Sequence, residues 1–395
     1  MTSSPAARPD RIRRHNLSLM LRHIHLDGPL SRAELTQRLQ VSRSTVGALV
    51  ADLTTLGLVE ETVPSGGTGV GRPSHVVVPN PAGPWVAAVD VDINQVSTAS
   101  VGLGGAVLAR TSVRIDPSRF RPEDLVAIVT DQLPVVASGS GRSALPAALG
   151  VSVPGTVDLG TGRIGVAPNL GWHDVDLPAQ LRSLAAAAPL PVLVGNDADL
   201  AVLAEHQRGS ARDCNDVVFI QGRVGIGAGL ILGGRPAGGH DGHAGEIGHI
   251  VLEASGPECH CGKRGCVETF VGADALVALA GADGPVEDVF AAARSGAEPA
   301  LTAARTVAVE LGRTIAFVVN MLNPQRVLLG GHLARLYAVA GPEIEAALTR
   351  FALEAHDRTV QLAVPAFGGD AALLGAAEMA FAGLLEDPYG VLSAR

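Results

Sequence analysis

Three of the chain's four cysteines fall within the eight residues "CHCGKRGC", Cys259 to Cys266, and His249 stands ten residues before the first of them. Three thiolates and one imidazole make the donor set of a closed tetrahedral zinc site. Gly262 and Gly265 would let the chain turn sharply enough for the sulfurs of Cys259, Cys261 and Cys266 to converge. Lys263 and Arg264 would offset part of the negative charge. A disulfide framework does not fit, because such frameworks belong to short, cysteine-dense secreted chains and pair evenly. Four protein ligands leave no open position for water, so the expected ion is structural. His260, and His240 and His243 of "GGHDGH", are alternative ligands, the last two read as shaping their loop. A histidine that gives one ring nitrogen to a metal keeps the other for a hydroxyl or carboxylate. Glu246 and Glu268 flank the same stretch, so metal and ligand binding are expected to meet there. Cys214 is left over and expected as a buried thiol.

Elements must position those residues, and the bulk numbers bound what they are. At 395 residues, two or three domains are expected. The composition, 47% hydrophobic and 17% charged, is that of an ordered globular chain. No apolar run reads as a membrane span, and the start "MTSSPAARPDRIRRHN" lacks the apolar core of a secretion signal, so the cytoplasm is the expected compartment. The net charge of −9 is unevenly spread. Residues 1–80 hold nine Arg against six Asp and Glu, and the remainder is strongly acidic. A basic module on an acidic body is the asymmetry expected where one end meets a polyanion.

Within residues 1–80 the periodicity predicts three short helices. Leu17, Leu21 and Ile24 share a face; Ser31 with Glu34 forms a capping box; Ser42 caps a third helix carrying Val46, Leu49, Val50 and Leu53, closed by Gly57. Two short helices across a tight turn are a helix-turn-helix, whose second helix reads the major groove with its first turn. Ser42, Arg43, Ser44 and Thr45 occupy that turn. Two β-prone runs around a glycine-rich tip then read as a wing, with Arg72 placed to enter a minor groove. The expected partner is double-stranded DNA. "PNPAGP" reads as a semi-extended linker at 81–84.

From Trp85 apolar strands alternate with Ala-rich helices, beginning with a three-stranded meander over residues 85–115. The helix-turn-helix together with "PNLGW", "NDAD", "HAGEIGHI" and "CHCGKRGCVE" resembles the ROK family of repressors, open reading frames and sugar kinases. The resemblance implies an α/β body of actin-like, ribonuclease H-like fold with two lobes, at 85–195 and 196–370, and a C-terminal helix near 371–395 returning to the first. It also implies a sugar pocket lined by Asn169, Asn196, Asp197, Glu246, His249 and Glu268, with Asp197 matching the catalytic base of the kinases. Carboxylates and amides suit that task, since they fix hydroxyls that both donate and accept.

Family kinases carry Asp-x-Gly-Gly-Thr-Lys in the first phosphate loop. Here the matching stretch is Asp90-Val91-Asp92-Ile93-Asn94-Gln95, with both glycines gone and a second carboxylate present. Val224 replaces the hydroxyl residue of the second loop, where Gly225, Gly227 and Gly229 are read as preserving a turn; Gly330-Gly331 resembles the adenosine-side motif. The expectation is a sugar-responsive regulator, a repressor by preference, that binds ATP feebly or not at all and has Asp197 as a vestigial base. An active sugar kinase with an accessory DNA-binding domain is the alternative. By the same resemblance the chain forms a dimer or tetramer on a palindromic operator, with Val307–Leu322 as a candidate packing helix.

Overall fold

The computed structural model describes residues 7–63, 75–142, 145–182, 190–223, 225–354 and 360–393. Helix α1 (Ala7–Asp27) leads into a short strand β1 (Leu30–Ser31), then α2 (Arg32–Leu39) and α3 (Arg43–Thr55). Ser31 accepts from the Glu34 amide while Glu34 reaches back to the Ser31 amide, so the capping box forms. Strands β2 (Val59–Thr62) and β3 (Val76–Pro79) pair antiparallel, and β1 joins on the far side of β3. This is a winged helix; the expected wing tip with Arg72 lies outside the described residues, as does Val224.

The body holds two five-stranded sheets of one design. The first comprises β4 (Trp85–Val91), β5 (Gln95–Gly102), β6 (Val107–Arg114), β7 (Leu149–Val153) and, after the hairpin β8 (Ile164–Ala167) and β9 (Trp172–Val175), β10 (Val192–Asn196). The second comprises β11 (Val217–Gly222), β12 (Ile226–Leu232), β13 (Arg235–Pro236), β14 (Arg326–Gly331) and β15 (Gln361–Ala363). In each, the first three strands form an antiparallel meander and the last two lie parallel beside the first, giving orders β10-β7-β4-β5-β6 and β13-β12-β11-β14-β15. The repeat sets the ends of β4 and β11, the two central strands, on opposite sides of one cleft.

Among the described residues the body's helices are α4 (Pro122–Gly139), α5 (Leu177–Arg182), α6 (Asp197–Arg208), α7 (Glu268–Val271), α8 (Ala273–Leu279), α9 (Val286–Arg294), α10 (Glu298–Leu322), α11 (His332–Phe351), α12 (Ala371–Glu386) and α13 (Pro388–Ser393). Among the described residues one apolar stretch, Gly368–Glu386, is long enough to cross a membrane, yet much of it is buried in this body. It packs on β4, β7 and α6, with the Gly150 Cα seated against the Ala376 carbonyl where no Cβ would fit. In α10 the expected packing face is mostly spent internally: Val307, Leu311, Ile315 and Val319 fill the second lobe's core, and Val309, Phe317 and Met321 remain outside.

Two seams differ from expectation. Residues 81–84 are a fastened turn and not a semi-extended spacer: Gly83 donates to the Asn80 carbonyl at 2.8 Å, Asn80 Nδ2 donates to the Gly57 carbonyl at 2.9 Å, and Arg142 holds the Pro81 and Gly83 carbonyls. The winged helix also shares its core with the body. Leu17, Met20, Leu21 and Ile24 of α1 belong to one apolar cluster with Val86, Ala99, Phe381 and Leu384. Each such buried side chain contributes about 1.5–3 kcal/mol.

Candidate functional site

A cleft of about 410 Å³ opens between the lobes and is lined by Asn169, Asn196, Asp197, Glu246, His249 and Glu268 together. Asn169 rides on the 3₁₀ turn between β8 and β9, and Asp197 opens α6. Asn196 is the N-cap of α6: its Oδ1 accepts from the Ala198 and Asp199 amides, and its Nδ2 donates to the Gly155 carbonyl at 2.9 Å. One amide hydrogen is left, so this residue chiefly sets the helix end, and Asp197 presents the free acceptor. Thr156, Gln221 and Arg223, which were not singled out by sequence, also line the wall, as does His243 of the "GGHDGH" loop.

Beside the cleft, His249, Cys259, Cys261 and Cys266 bring their ligand atoms within 4.8 Å of one another. Cys261 and Cys266 Sγ are 3.8 Å apart, and Cys259 Sγ lies 3.9 Å from His249 Nδ1. Metal–sulfur bonds of about 2.3 Å in a tetrahedron put sulfurs about 3.8 Å apart, so spacing and donor chemistry both suit a metal ion. Gly265, at φ 70°, lies against the Glu253 carbonyl where any side chain would collide. The second nitrogen of His249 faces the cleft, its Nε2 3.9 Å from Glu246 Oε2. Glu268 joins cluster and cleft: Oε1 is 4.0 Å from Cys259 Sγ, and Oε2 accepts from the Ile226 amide at 3.0 Å. A Cβ at Gly225 would strike that carboxylate, and one at Gly229 would strike the Ala198 carbonyl. Close approach, rather than the expected tight turn, is what those two glycines provide.

Arg223 sets a positive charge among the carboxylates of the cleft. Its guanidinium donates to Asp90 Oδ2 at 3.2 Å and to the Gly369 carbonyl at 3.1 Å, and it stands 4.0 Å from Asp92. Burial works to lower its pKa, but Asp90, Asp197 and Asp92 outweigh that and hold it protonated. Burial raises the Asp197 carboxyl to about 6, with Asp90 and Asp92 adding to the rise and Arg223 opposing it. Burial also raises Asp199, two positions on, to about 7, reinforced by Asp197 and Glu246.

At the other end of the molecule, Ser42 caps α3 by accepting from the Thr45 amide, and its hydroxyl lies 2.8 Å from that of Ser44. Ser42, Arg43 and Ser44 are exposed and Thr45 is half-buried, while Val46, Leu49, Val50 and Leu53 bury the opposite face. The arrangement leaves a polar first turn free at the end of a firmly packed helix.

Comparison with known proteins follows these divisions. The MarR family pattern matches residues 18–69, and the ROK family pattern matches residues 86–382. The N-acetylglucosamine repressor of Escherichia coli O157:H7 is 28% identical over 361 residues, covering 88% of this chain and 87% of that protein. A glucokinase of Halalkalibacterium halodurans is 29% identical over 316 residues, covering 74% of this chain and 93% of its own length. Among solved structures, a ROK family transcriptional regulator described as a homologue of the E. coli MLC protein superposes with a TM-score of 0.80 at 26% identity, over 97% of this chain and 98% of that one. A MarR-type winged helix therefore precedes a two-lobed, sugar-kinase-type body, and the chain belongs to the ROK family.

Proposed function

We propose that this protein is a sugar-responsive transcriptional repressor. Its winged helix holds a palindromic DNA operator through Ser42, Arg43, Ser44, Thr45 and Arg72, and its cleft binds a small sugar through Asn169, Asp197, Glu246, His249 and Glu268, with Asn196 fixing the helix end. The observation that carries the reading is Arg223, a buried guanidinium set across Asp90 and Asp92 in the cleft. Those carboxylates belong to the loop in which family kinases bind nucleotide phosphates, so here the cleft supports sugar recognition without phosphoryl transfer. The likeness along nearly the whole length of a ROK transcriptional regulator, winged helix included, favours the same reading.

The cation suited to His249, Cys259, Cys261 and Cys266 is zinc, in a structural role. Bound there it would fix the imidazole and polarise its outward N–H, and the protein's part is to aim that N–H and the Glu268 carboxylate at sugar hydroxyls. The chain works in the cytoplasm as a homo-oligomer, for which exposed Phe317, Met321, Phe351 and Leu353 offer an apolar face. Sugar binding changes operator affinity by shifting the balance between lobe arrangements, and a differential of about 1–3 kcal/mol makes a usable switch.

The test is a pull-down of sheared genomic DNA on the zinc-loaded protein, sequenced with and without a panel of sugars. Recovery of a palindrome that one sugar releases is the expected result. No enriched site, with turnover of Mg-ATP on any sugar, would establish the kinase alternative instead.

A further inference from the structure

The first helix of the winged domain is pinned to the body by a closed ring of hydrogen bonds, centred on the buried pair His25 and Glu378. His25 of α1, fully buried, has Nε2 2.9 Å from Glu378 Oε2 on α12. Its Nδ1 accepts from the Gly104 amide at 3.0 Å, which fixes the tautomer with the proton on Nε2, donating to Glu378. Arg208, at the last turn of α6, donates from Nε to Glu378 Oε1 at 2.5 Å and from Nη1 to the Gly104 carbonyl at 3.1 Å. Three bodies thus meet in one ring: the DNA-binding domain through His25, the first-lobe hairpin through Gly104, and the helices between the lobes through Arg208 and Glu378.

The same helix that ends in Arg208 begins at the cleft, with Asn196 and Asp197. Twelve residues make α6 about 18 Å long, and it is gripped backbone to backbone on two sides. Gly229 of β12 seats the Ala198 carbonyl, and Gly375 of α12 seats the Leu200 carbonyl, each in space a Cβ would fill. So held, α6 is a continuous, tightly packed link from the cleft to the ring. A relative shift of about 1 Å within the ring is enough to break hydrogen bonds of this length. The ring also contains an unused donor, because Arg208 Nη2 is buried without a partner among the described residues. A buried orphan donor calls for an explanation, and a second arrangement in which it is bonded supplies one.

We infer that the His25–Glu378–Arg208–Gly104 ring is the joint through which sugar in the cleft sets the seating of the DNA-binding domain. The inference rests on the regulator reading above. These are positioning residues: none of the four lines the cleft or lies on the DNA-reading helix. Asp27, two residues after His25, is held by Arg212 just beyond α6 and by Arg38 of α2, so a second ion-paired link runs beside the ring.

The experiment uses the full-length, zinc-loaded protein and two variants, Glu378→Gln and Arg208→Lys, which keep shape and bulk. N-acetylglucosamine and glucose are the probes. Sugar affinity is read by calorimetry, and operator affinity by fluorescence anisotropy on the recovered palindrome, with and without the sugar that binds. In the wild type the sugar should change operator affinity by a factor of about 5–150. In both variants that factor should shrink at least roughly fivefold while sugar affinity stays within about twofold. A full sugar response in both folded variants would overturn the joint. Should the variants not fold, hydrogen exchange on the wild type decides: sugar must alter protection at Gly104 and along residues 17–27, and unchanged protection there also overturns it. Should no sugar of the panel bind, or should binding leave operator affinity unchanged, the regulator reading on which the joint depends would instead be overturned.

Discussion

Arg223 and Asp90, 133 positions apart in sequence, meet across the cleft at 3.2 Å, with both side chains largely withdrawn from water. The pair bridges the central strand of one sheet and the end of the central strand of the other. Incubated with Mg-ATP and a sugar panel, the protein should transfer no phosphoryl group, which a coupled ADP assay checks. Arg223→Ala should lower stability by about 3 kcal/mol, because it strands buried carboxylates without their cation. Denaturant unfolding measures this, and an unchanged midpoint would mean that the arginine is not the cleft's counterion.

Asp197→Asn should weaken sugar binding by about 1.5–3 kcal/mol, the worth of a hydrogen bond to a charged acceptor. A normal titration would place the sugar elsewhere. The wild type carries a further signature in pH. With the Asp197 carboxyl raised to about 6 by burial, the acceptor is deprotonated only above that value. Sugar affinity should therefore rise as pH climbs through about 6 and level off at higher pH. Asp199, raised to about 7, is coupled to it, so the rise belongs to the pair.

Removing the metal should abolish the sugar response before it unfolds the body. The cluster aims His249 and Glu268 into the cleft, whereas most of the second lobe's apolar core is supplied by β11, β12, β14, α10 and α11 and not by the cysteine loop. A chelated or Cys266→Ser protein should keep its far-ultraviolet circular dichroism and lose calorimetric sugar binding. Full binding by the metal-free protein would separate cluster from cleft.

Arg43→Ala should weaken operator binding by about 1–3 kcal/mol and leave sugar affinity unchanged. Anisotropy at two salt concentrations distinguishes the contact: a phosphate contact flattens the salt slope, while a base contact relaxes specificity. Equal affinity in both proteins would remove Arg43 from the interface.

His25 gives a second pH signature. Burial holds its pKa below the ordinary value, Glu378 opposes that, and Arg208 and Arg22 add to it. The folded state then carries fewer protons on this residue than the unfolded chain, whose imidazole titrates near about 6.5. Stability should be unaffected above about 6.5 and fall as pH drops below it. Thermal melts from pH 7.5 to 5.5 should show a steeper loss for the wild type than for His25→Gln, and equal slopes would refute the assignment.

What sequence revealed was what short separations encode. The Ser31–Glu34 box, the Ser42 cap and the meander from Trp85 are set by neighbours within a turn or a hairpin. The cysteine cluster was legible because metal chemistry restricts both residue type and spacing. The fold and pocket followed from resemblance carried by several motifs at once. Relations made only by tertiary packing were not visible. An arginine inside a glycine run gives no sign that it will reach a carboxylate 133 residues earlier. Periodicity marked α10 as apolar without saying that its richest face would turn inward. The prolines of 81–84 suggested a spacer because their fastening comes from Arg142, some sixty residues on.

The seat of the winged domain also orders events during synthesis. Residues 7–27 leave the ribosome well before residues 371–386, more than 300 positions later, which form part of the surface that receives them. At about 5–20 residues per second, tens of seconds separate the two. Throughout that interval the nascent winged helix has its own capped helices but no Glu378 or Phe381 to rest against, and its apolar α1 face stays uncovered. A chain cut short before α12 would therefore carry an unseated reading head, available to chaperones and proteases rather than to DNA.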